Sequence, residues 1–322
     1  MAFSTVSLSK PLLPSTGILR PSQTRLRPFF ARPVPGSKPR FSNKPLSISI
    51  GFHRRQPVTM AAATGSKQLT VFDAEEELAV SLAKYTAKLS DKFTSEKGAF
   101  TVVLSGGSLI KALRKLTESP YLESLEWSKW HVFWVDERVV KKDHPDSNYK
   151  LAFDGFLSKV PIPRDQIYAI NDTLPPEGAA EDYESCVKQL VWDHVIKVTT
   201  SGLPRFDLML LGMGPDGHVA SLFPGHPLLK ETEKWVTYIK DSPKPPPERI
   251  TFTFPIINAS AYVAMVVTGS GKAGAVHKAL SGGENTGLTD RLPVEMVELE
   301  QGEFTWFTDK AAVSMLNEGT SL

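Results

Sequence analysis

Asp216 and His218 stand one residue apart in a short run that also holds Gly212, Gly214 and Gly217. An imidazole of ordinary pKa, about 6.5, suits a general base at neutral or mildly alkaline pH. The carboxylate beside it can position either that ring or a substrate hydroxyl, and the residues leave the choice open. A lone histidine is commonly a packing or surface residue. The glycine-rich surroundings set this one apart, because glycines let a backbone turn tightly and approach a ligand where a Cβ would clash. A helix turn starting near His218 would add free N–H groups for an anion or a developing oxyanion. Asp216 and His218 could also offer two metal ligands, but no third His or Cys stands at a helpful spacing, so no metal is assigned.

Three further clusters carry polar groups that could serve the same centre. Ser105-Gly106-Gly107-Ser108 precedes a predicted helix and reads as a phosphate or sugar-hydroxyl cradle, or simply as a tight turn. It is neither a dinucleotide fingerprint nor a Walker loop, and it lacks the nucleophile-elbow pattern, so no catalytic serine and no cofactor is assigned. Asp136 and Arg138 could hold substrate hydroxyls and an anion, or form a strand-end ion pair. Arg249 and Lys272 are candidates for a phosphate dianion, the arginine through two parallel hydrogen bonds and the lysine as a point charge. Gly214 completes the candidate substrate contacts.

These residues need strands to bring them together. Apolar runs at Gln68–Phe72, Ala99–Leu104, His131–Val135, Phe206–Leu211, Trp235–Ile239, Arg249–Phe254, Tyr262–Thr268 and Glu303–Phe307 read as strands. Helices are expected at 73–89, with Asp73 and Glu76 as a capping box, and at 109–116, 149–157, 177–195, 272–280 and 310–316. The Pro-rich stretch Ser242–Pro247 reads as a loop. Strands alternating with helices predict an α/β doubly wound sheet. Four of the polar clusters then fall at strand ends, on the edge where such sheets bind ligands. Arg249 reaches that edge if its strand runs antiparallel.

Composition divides the chain in two. The whole chain has 37 Lys+Arg and 35 Asp+Glu, a net charge of +2. Residues 1–72 hold eleven of the basic residues and none of the acidic ones, so residues 73–322 carry 26 against 35, a net charge of −9. The predicted folded part therefore offers no bulk electrostatic case for nucleic acid. A basic, Ser-rich, acid-free leader has the composition of an organelle transit peptide. Its repeated prolines disfavour an amphipathic mitochondrial helix and point to the plastid. We expect residues 1–66 to form a disordered transit segment, cut near Met60–Thr64, and residues 67–322 to form one domain. Cys186 is the sole cysteine, which leaves no disulfide. No apolar stretch approaches a membrane span. Oligomeric state is not legible.

Six spaced motifs carry a resemblance: LSGGS (Leu104–Ser108), VDER (Val135–Arg138), HPDSNY (His144–Tyr149), LGMGPDGHVASLFPG (Leu211–Gly225), RITFTFP (Arg249–Pro255) and Gly271-Lys272. In that order the sequence resembles the 6-phosphogluconolactonases, within the glucosamine/galactosamine-6-phosphate isomerase family, from Gln68 to the C-terminus. The leader, outside the match, looks like that of a plastid form. The resemblance implies a metal- and cofactor-independent hydrolase on a Rossmann-like, mostly parallel doubly wound sheet with helices on both faces. It further implies a small sugar-phosphate lactone as substrate, 6-phospho-D-glucono-1,5-lactone, with His218 activating water. The phosphate would sit near Arg249 and Lys272. Related glucosamine-6-phosphate deaminases continue the histidine loop into a Phe-Asn-Glu-Pro stretch. Here Phe223 is followed by Pro224-Gly225, and without that glutamate the reading tilts from aldose–ketose chemistry to lactone hydrolysis. A deaminase or isomerase of sugar phosphates is the alternative.

Overall fold

A computed structural model describes residues 67–281 and 291–316; the basic leader expected over residues 1–66 lies outside the described residues. The strands, in chain order, are β1 (Lys67–Phe72), β2 (Phe100–Leu104), β3 (Trp130–Trp134), β4 (Asp136–Arg138), β5 (Lys197–Val198), β6 (Pro204–Arg205), β7 (Leu208–Gly212), β8 (Val236–Ile239), β9 (Arg249–Phe252), β10 (Tyr262–Val267) and β11 (Glu303–Asp309). The helices are α1 (Glu75–Lys97), α2 (Ser108–Ala112), α3 (Tyr121–Ser124), α4 (Asn148–Gly155), α5 (Pro176–Trp192), α6 (Phe254–Asn258) and α7 (Ala273–Leu280).

Six strands form one sheet in the order β1-β11-β10-β7-β2-β3, and every pair in it is parallel. Its strands are apolar on both faces because both faces are covered. Along β2, Val102 and Leu104 enter one core cluster while Val103 enters the other, the period-two alternation of a strand. The first cluster packs under α1 through Leu78 and Leu82, and under α2 and α4 through Leu109 and Ala152. The opposite cluster packs under α5, α6 and α7 through Tyr183, Ile257 and Val276. This is the expected doubly wound α/β sheet.

The strand order reverses between β2 and β7. From β2 the chain moves outward to β3, whereas from β7 it moves the other way through β10 to β11. Crossovers leaving in opposite directions open a crevice beyond the carboxyl ends of those two strands. A three-stranded antiparallel sheet, β4-β9-β8, adjoins that crevice. It joins the main sheet directly, since β4 follows β3 after Val135, whose carbonyl accepts the Phe252 N–H at 2.7 Å. Arg249 on β9 pairs in register with Arg138 on β4. The strand of Arg249 runs antiparallel to both its neighbours, which meets the condition for Arg249 to reach that edge.

Two local expectations are corrected, and one open possibility is closed. Asp73 does not cap α1: Ala74 is the N-cap, with no side-chain hydrogen bond, and the Asp73 N–H instead bonds the Glu77 carboxylate at 3.3 Å. Three consecutive glutamates, Glu75 to Glu77, favour that terminus through the helix dipole instead. Residues 310–316 form turns rather than a helix, because Asp309 at the end of β11 accepts the N–H groups of Gly269 and Ala312 and bends the chain there. No helix starts at His218 either. The glycine loop closes on itself instead, with the Gly214 N–H donated to the His218 carbonyl at 2.9 Å and the Gly217 N–H to the Gly214 carbonyl at 3.0 Å.

Candidate active site

The crevice between the ends of β2 and β7 is a cleft of about 360 Å³. Gly106, Gly107, Ser108, Asp136, Arg138, Gly214, His218, Arg249 and Lys272 all line it, so it gathers nine of the ten residues singled out from the sequence. The tenth, Asp216, touches it through His218. Ser105, Asn148 and Lys244 complete the polar lining.

His218 owes its place to the glycines around it. His218 Nδ1 lies 2.6 Å from Asp216 Oδ1, a short charge-assisted contact. A Cβ on Gly214 would lie 2.0 Å from that same Nδ1 and 2.4 Å from Asp216 Oδ1, so no larger residue fits beneath the pair. Gly217 takes φ 78°, a left-handed turn that glycine adopts freely. The imidazole rests on Phe223, ring centroids 4.6 Å apart, and Phe223 is buried. Among the described residues, Nε2 has no hydrogen-bond partner. With Nδ1–H donated to Asp216, its lone pair is open to the cleft.

Lys244 is the residue that sequence reasoning missed. Its Nζ lies 2.9 Å from Asp216 Oδ1 and 3.2 Å from His218 Nδ1. Burial pushes the Asp216 carboxyl up, but the hydrogen bonds from Lys244 and His218 outweigh it and bring the group down to about 2. His218 is pushed down, chiefly by burial and further by the Lys244 charge, against the opposing pull of Asp216. The result is an ionised carboxylate beside a neutral imidazole at neutral pH. One signal was available: Lys244 is the only charged residue between Asp241 and Glu248, in a run otherwise of Ser and Pro.

The β2 turn approaches Asn148 closely. A Cβ on Gly106 would fall 1.9 Å from Asn148 Oδ1, while Asn148 Nδ2 donates to the Asp136 carbonyl at 3.0 Å. Gly107 takes φ 71° at the N-cap of α2. Asp136 accepts the Ser221 hydroxyl at 2.8 Å. Its neighbour Glu137 turns inward instead, accepting the N–H groups of Arg138, Asn148 and Tyr149 at 2.7, 2.8 and 2.7 Å. Burial pushes this carboxyl up to about 7. Glu137 therefore anchors the start of α4 and offers nothing to the cleft.

The cations are partly committed to the frame. Arg249 donates from Nε to the Pro246 carbonyl at 2.9 Å and from Nη2 to the carbonyls of Lys244 and Pro245 at 2.7 and 3.2 Å. Its fork is thus spent on the Pro-rich loop, and the two parallel bonds to an anion expected from the sequence are not free as it stands. Nη1, with only a 3.4 Å contact to Ser221, has donor capacity left. Lys272 Nζ donates to the Met213 carbonyl at 2.7 Å, leaving two of its three hydrogens. Arg138 donates from Nη1 to the Asp146 carbonyl at 2.8 Å, and its buried Nε has no partner among the described residues. The N–H groups of Gly214 and Gly217 are consumed within their own loop, which removes two of the oxyanion donors expected there.

A profile of the family described as "Glucosamine-6-phosphate isomerases/6-phosphogluconolactonase" matches residues 73–306. "Probable 6-phosphogluconolactonase 4, chloroplastic" of Oryza sativa subsp. indica is 75% identical over 250 residues, covering 77% of this chain and 76% of that protein. "6-phosphogluconolactonase 3, chloroplastic" of Arabidopsis thaliana is 62% identical over 251 residues, covering 78% of this chain and 75% of its own. Among solved structures, a 6-phosphogluconolactonase from Thermotoga maritima superposes with a TM-score of 0.62 at 28% identity, covering 76% of this chain and 100% of that one.

Proposed function

The chain belongs to the family of glucosamine-6-phosphate isomerases and 6-phosphogluconolactonases, and from that premise we propose that His218 and Asp216 are its catalytic pair. The protein is a hydrolase of the oxidative pentose phosphate pathway that opens 6-phospho-D-glucono-1,5-lactone to 6-phospho-D-gluconate. It works in the chloroplast, as the names of its relatives state for them and as the acid-free basic leader suits. Residues 1–66 are the segment we assign to import.

The observation that carries the site assignment is the 2.6 Å contact of Asp216 with Nδ1, which leaves Nε2 facing a cleft ringed by cations. Nε2 takes a proton from water as its oxygen attacks the lactone carbonyl. The resulting imidazolium is stabilised by the Asp216 carboxylate. When the tetrahedral intermediate collapses, the bond from the carbonyl carbon to the ring oxygen breaks, and His218 returns its proton to that oxygen. The base thus ends neutral, as it began, and the carboxylic acid product then releases one proton to solvent as it ionises.

Arg138, Lys272 and the remaining Arg249 N–H hold the phosphate in this reading. Binding energy gathered at that remote group orients the carbonyl at the base, which lowers the entropy cost of attack. The β2 turn, Gly106 to Ser108, replaces the glycine loop as the source of oxyanion donors, because Gly214 and Gly217 have none to spare.

The deciding assay supplies the purified chain with freshly made lactone and follows acid release against spontaneous hydrolysis. Release no faster than the spontaneous rate overturns the reading. Ammonia from glucosamine 6-phosphate, in place of acid from the lactone, would transfer it to the deaminase branch.

A further inference from the structure

We propose that Lys244 is a positioning residue for the His218–Asp216 pair, delivered to it by a proline strap that Arg249 clamps in place. The proposal rests on His218 being the base. Nothing in the β-sheet fixes Lys244, which lies between β8 and β9 with its side chain 37% exposed. A lysine on an ordinary loop of that exposure would sample many rotamers and contribute little to a partner.

The strap removes that freedom. Pro243, Pro245, Pro246 and Pro247 flank Lys244 and lock φ at four of the positions around it. The Ser242 N–H bonds the Pro247 carbonyl at 3.2 Å and closes the strap at its base. Ser242 Oγ then donates to the Lys244 carbonyl at 2.9 Å. Across the strap, the buried Arg249 guanidinium reaches the carbonyls of Lys244, Pro245 and Pro246 together. The backbone that bears Lys244 is therefore held from both sides, and its ammonium arrives at an oxygen already shared with the imidazole.

That sharing decides the tautomer. An ionised carboxylate only accepts, so Asp216 Oδ1, held ionised by Lys244, receives one hydrogen from the ammonium and one from Nδ1. With Nδ1 protonated, Nε2 keeps the lone pair that takes a proton from water. The charge of Lys244 also opposes a second positive charge on the ring before substrate arrives. The other charged groups facing His218 are Asp136 and Arg138 from β4, Arg249 from β9 and Lys272 from the turn before α7. None of these comes as close to the imidazole among the described residues as the Lys244 ammonium, which stands 3.2 Å from Nδ1, a distance at which two donors repel rather than bond.

Wild type, K244M and K244R are compared by an NMR titration of the His218 ring in the free enzyme, and by kcat and KM for the lactone between pH 5.5 and 9. In K244M the ring titration and the acid limb of kcat/KM should both move up, by roughly half to one unit. The loss in kcat should be greatest near pH 6 and shrink at high pH, with KM within about twofold. K244R should restore most of both. An unmoved ring titration in K244M, or a loss confined to KM, assigns Lys244 to the phosphate and overturns the proposal. If K244M does not fold, K244Q answers the same question. A wild-type chain with no turnover would sink the lactonase reading, while the ring titration still decides whether Lys244 governs His218.

Discussion

The two ends of the central sheet each hold a carboxylate, a lysine and a third polar group, yet they are built for opposite purposes. At the carboxyl end, Asp216 sits with Lys244 and His218, its side chain 36% exposed. At the amino end, Asp207 pairs with Lys97 at 2.8 Å, their side chains only 5% and 9% exposed. Asp207 Oδ2 also accepts the Thr101 N–H at 2.7 Å and its hydroxyl at 2.9 Å, while Lys97 donates to the Val195 carbonyl at 3.1 Å. The contacts of the amino-end cluster run to the surrounding frame and its side chains are buried, so the cluster ties α1 to the strands. The carboxyl-end cluster leaves His218 Nε2 open to the cleft, with no partner among the described residues. An unpaired atom on an open lip is what makes a site; a closed network makes a joint.

The largest expected effect separates the two ends by readout. H218A should lower kcat by about 10²–10⁴-fold, the range for losing a general base, with little change in thermal midpoint. A loss smaller than tenfold in folded protein would place the base elsewhere. At the other end, K97M strands the buried Asp207 charge and should cost about 3–5 kcal/mol of stability in urea titrations, while the folded fraction keeps its kcat. Adding D207N should recover part of that loss, since Asn can still accept from Thr101. A K97M enzyme that stays stable but turns over slowly would erase the distinction between joint and site.

G214A tests how closely the backbone must approach the pair. Its Cβ would meet Nδ1 at 2.0 Å and Asp216 Oδ1 at 2.4 Å, so the imidazole must shift. We expect a drop in kcat of about tenfold or more, because displacement of a base by less than an ångström already spoils alignment. The same substitution at Gly212, where nothing lies within 4 Å of the added Cβ, should be far milder.

Sequence patterns exposed the open end better than the closed one. Glycines, a carboxylate and a histidine packed into one strand end stand out because their spacing has no packing use, and polar groups at other strand ends converge on them by topology alone. Asp207 gives no local signal, since a single acid inside the apolar run Phe206–Leu211 shows no partner until Lys97 and Thr101, distant in sequence, are seen beside it. Lys244 escaped for a related reason. Proline-rich stretches signal what a segment cannot be, and a strap gains its meaning only from the Arg249 carbonyl clamp. The same clamp occupies the guanidinium fork that the sequence of Arg249 taken alone offers to a phosphate. The Asp73 capping box failed because the Asp73 N–H turns to the Glu77 carboxylate while its own carboxylate pairs with Lys310 at 2.7 Å.

The smallest effect bears most directly on the contrast, because acid should pull the two ends in opposite directions. Asp216 has a folded pKa of about 2, below its ordinary 3.8, so its contribution to stability is present above 3.8 and is lost as pH falls toward 2. Its partial exposure limits that contribution to about 1 kcal/mol at most. Asp207 is shifted the other way, its burial outweighing Lys97 and Thr101, so its contribution is present below 3.8 and declines as pH rises through the folded value. Urea midpoints taken from pH 5 down to 3 should therefore fall less steeply in D216N than in wild type, and more steeply in D207N. Slopes that change in the same direction in both variants would mean that the two carboxylates share one electrostatic environment, and the contrast between a closed joint and an open site would not hold.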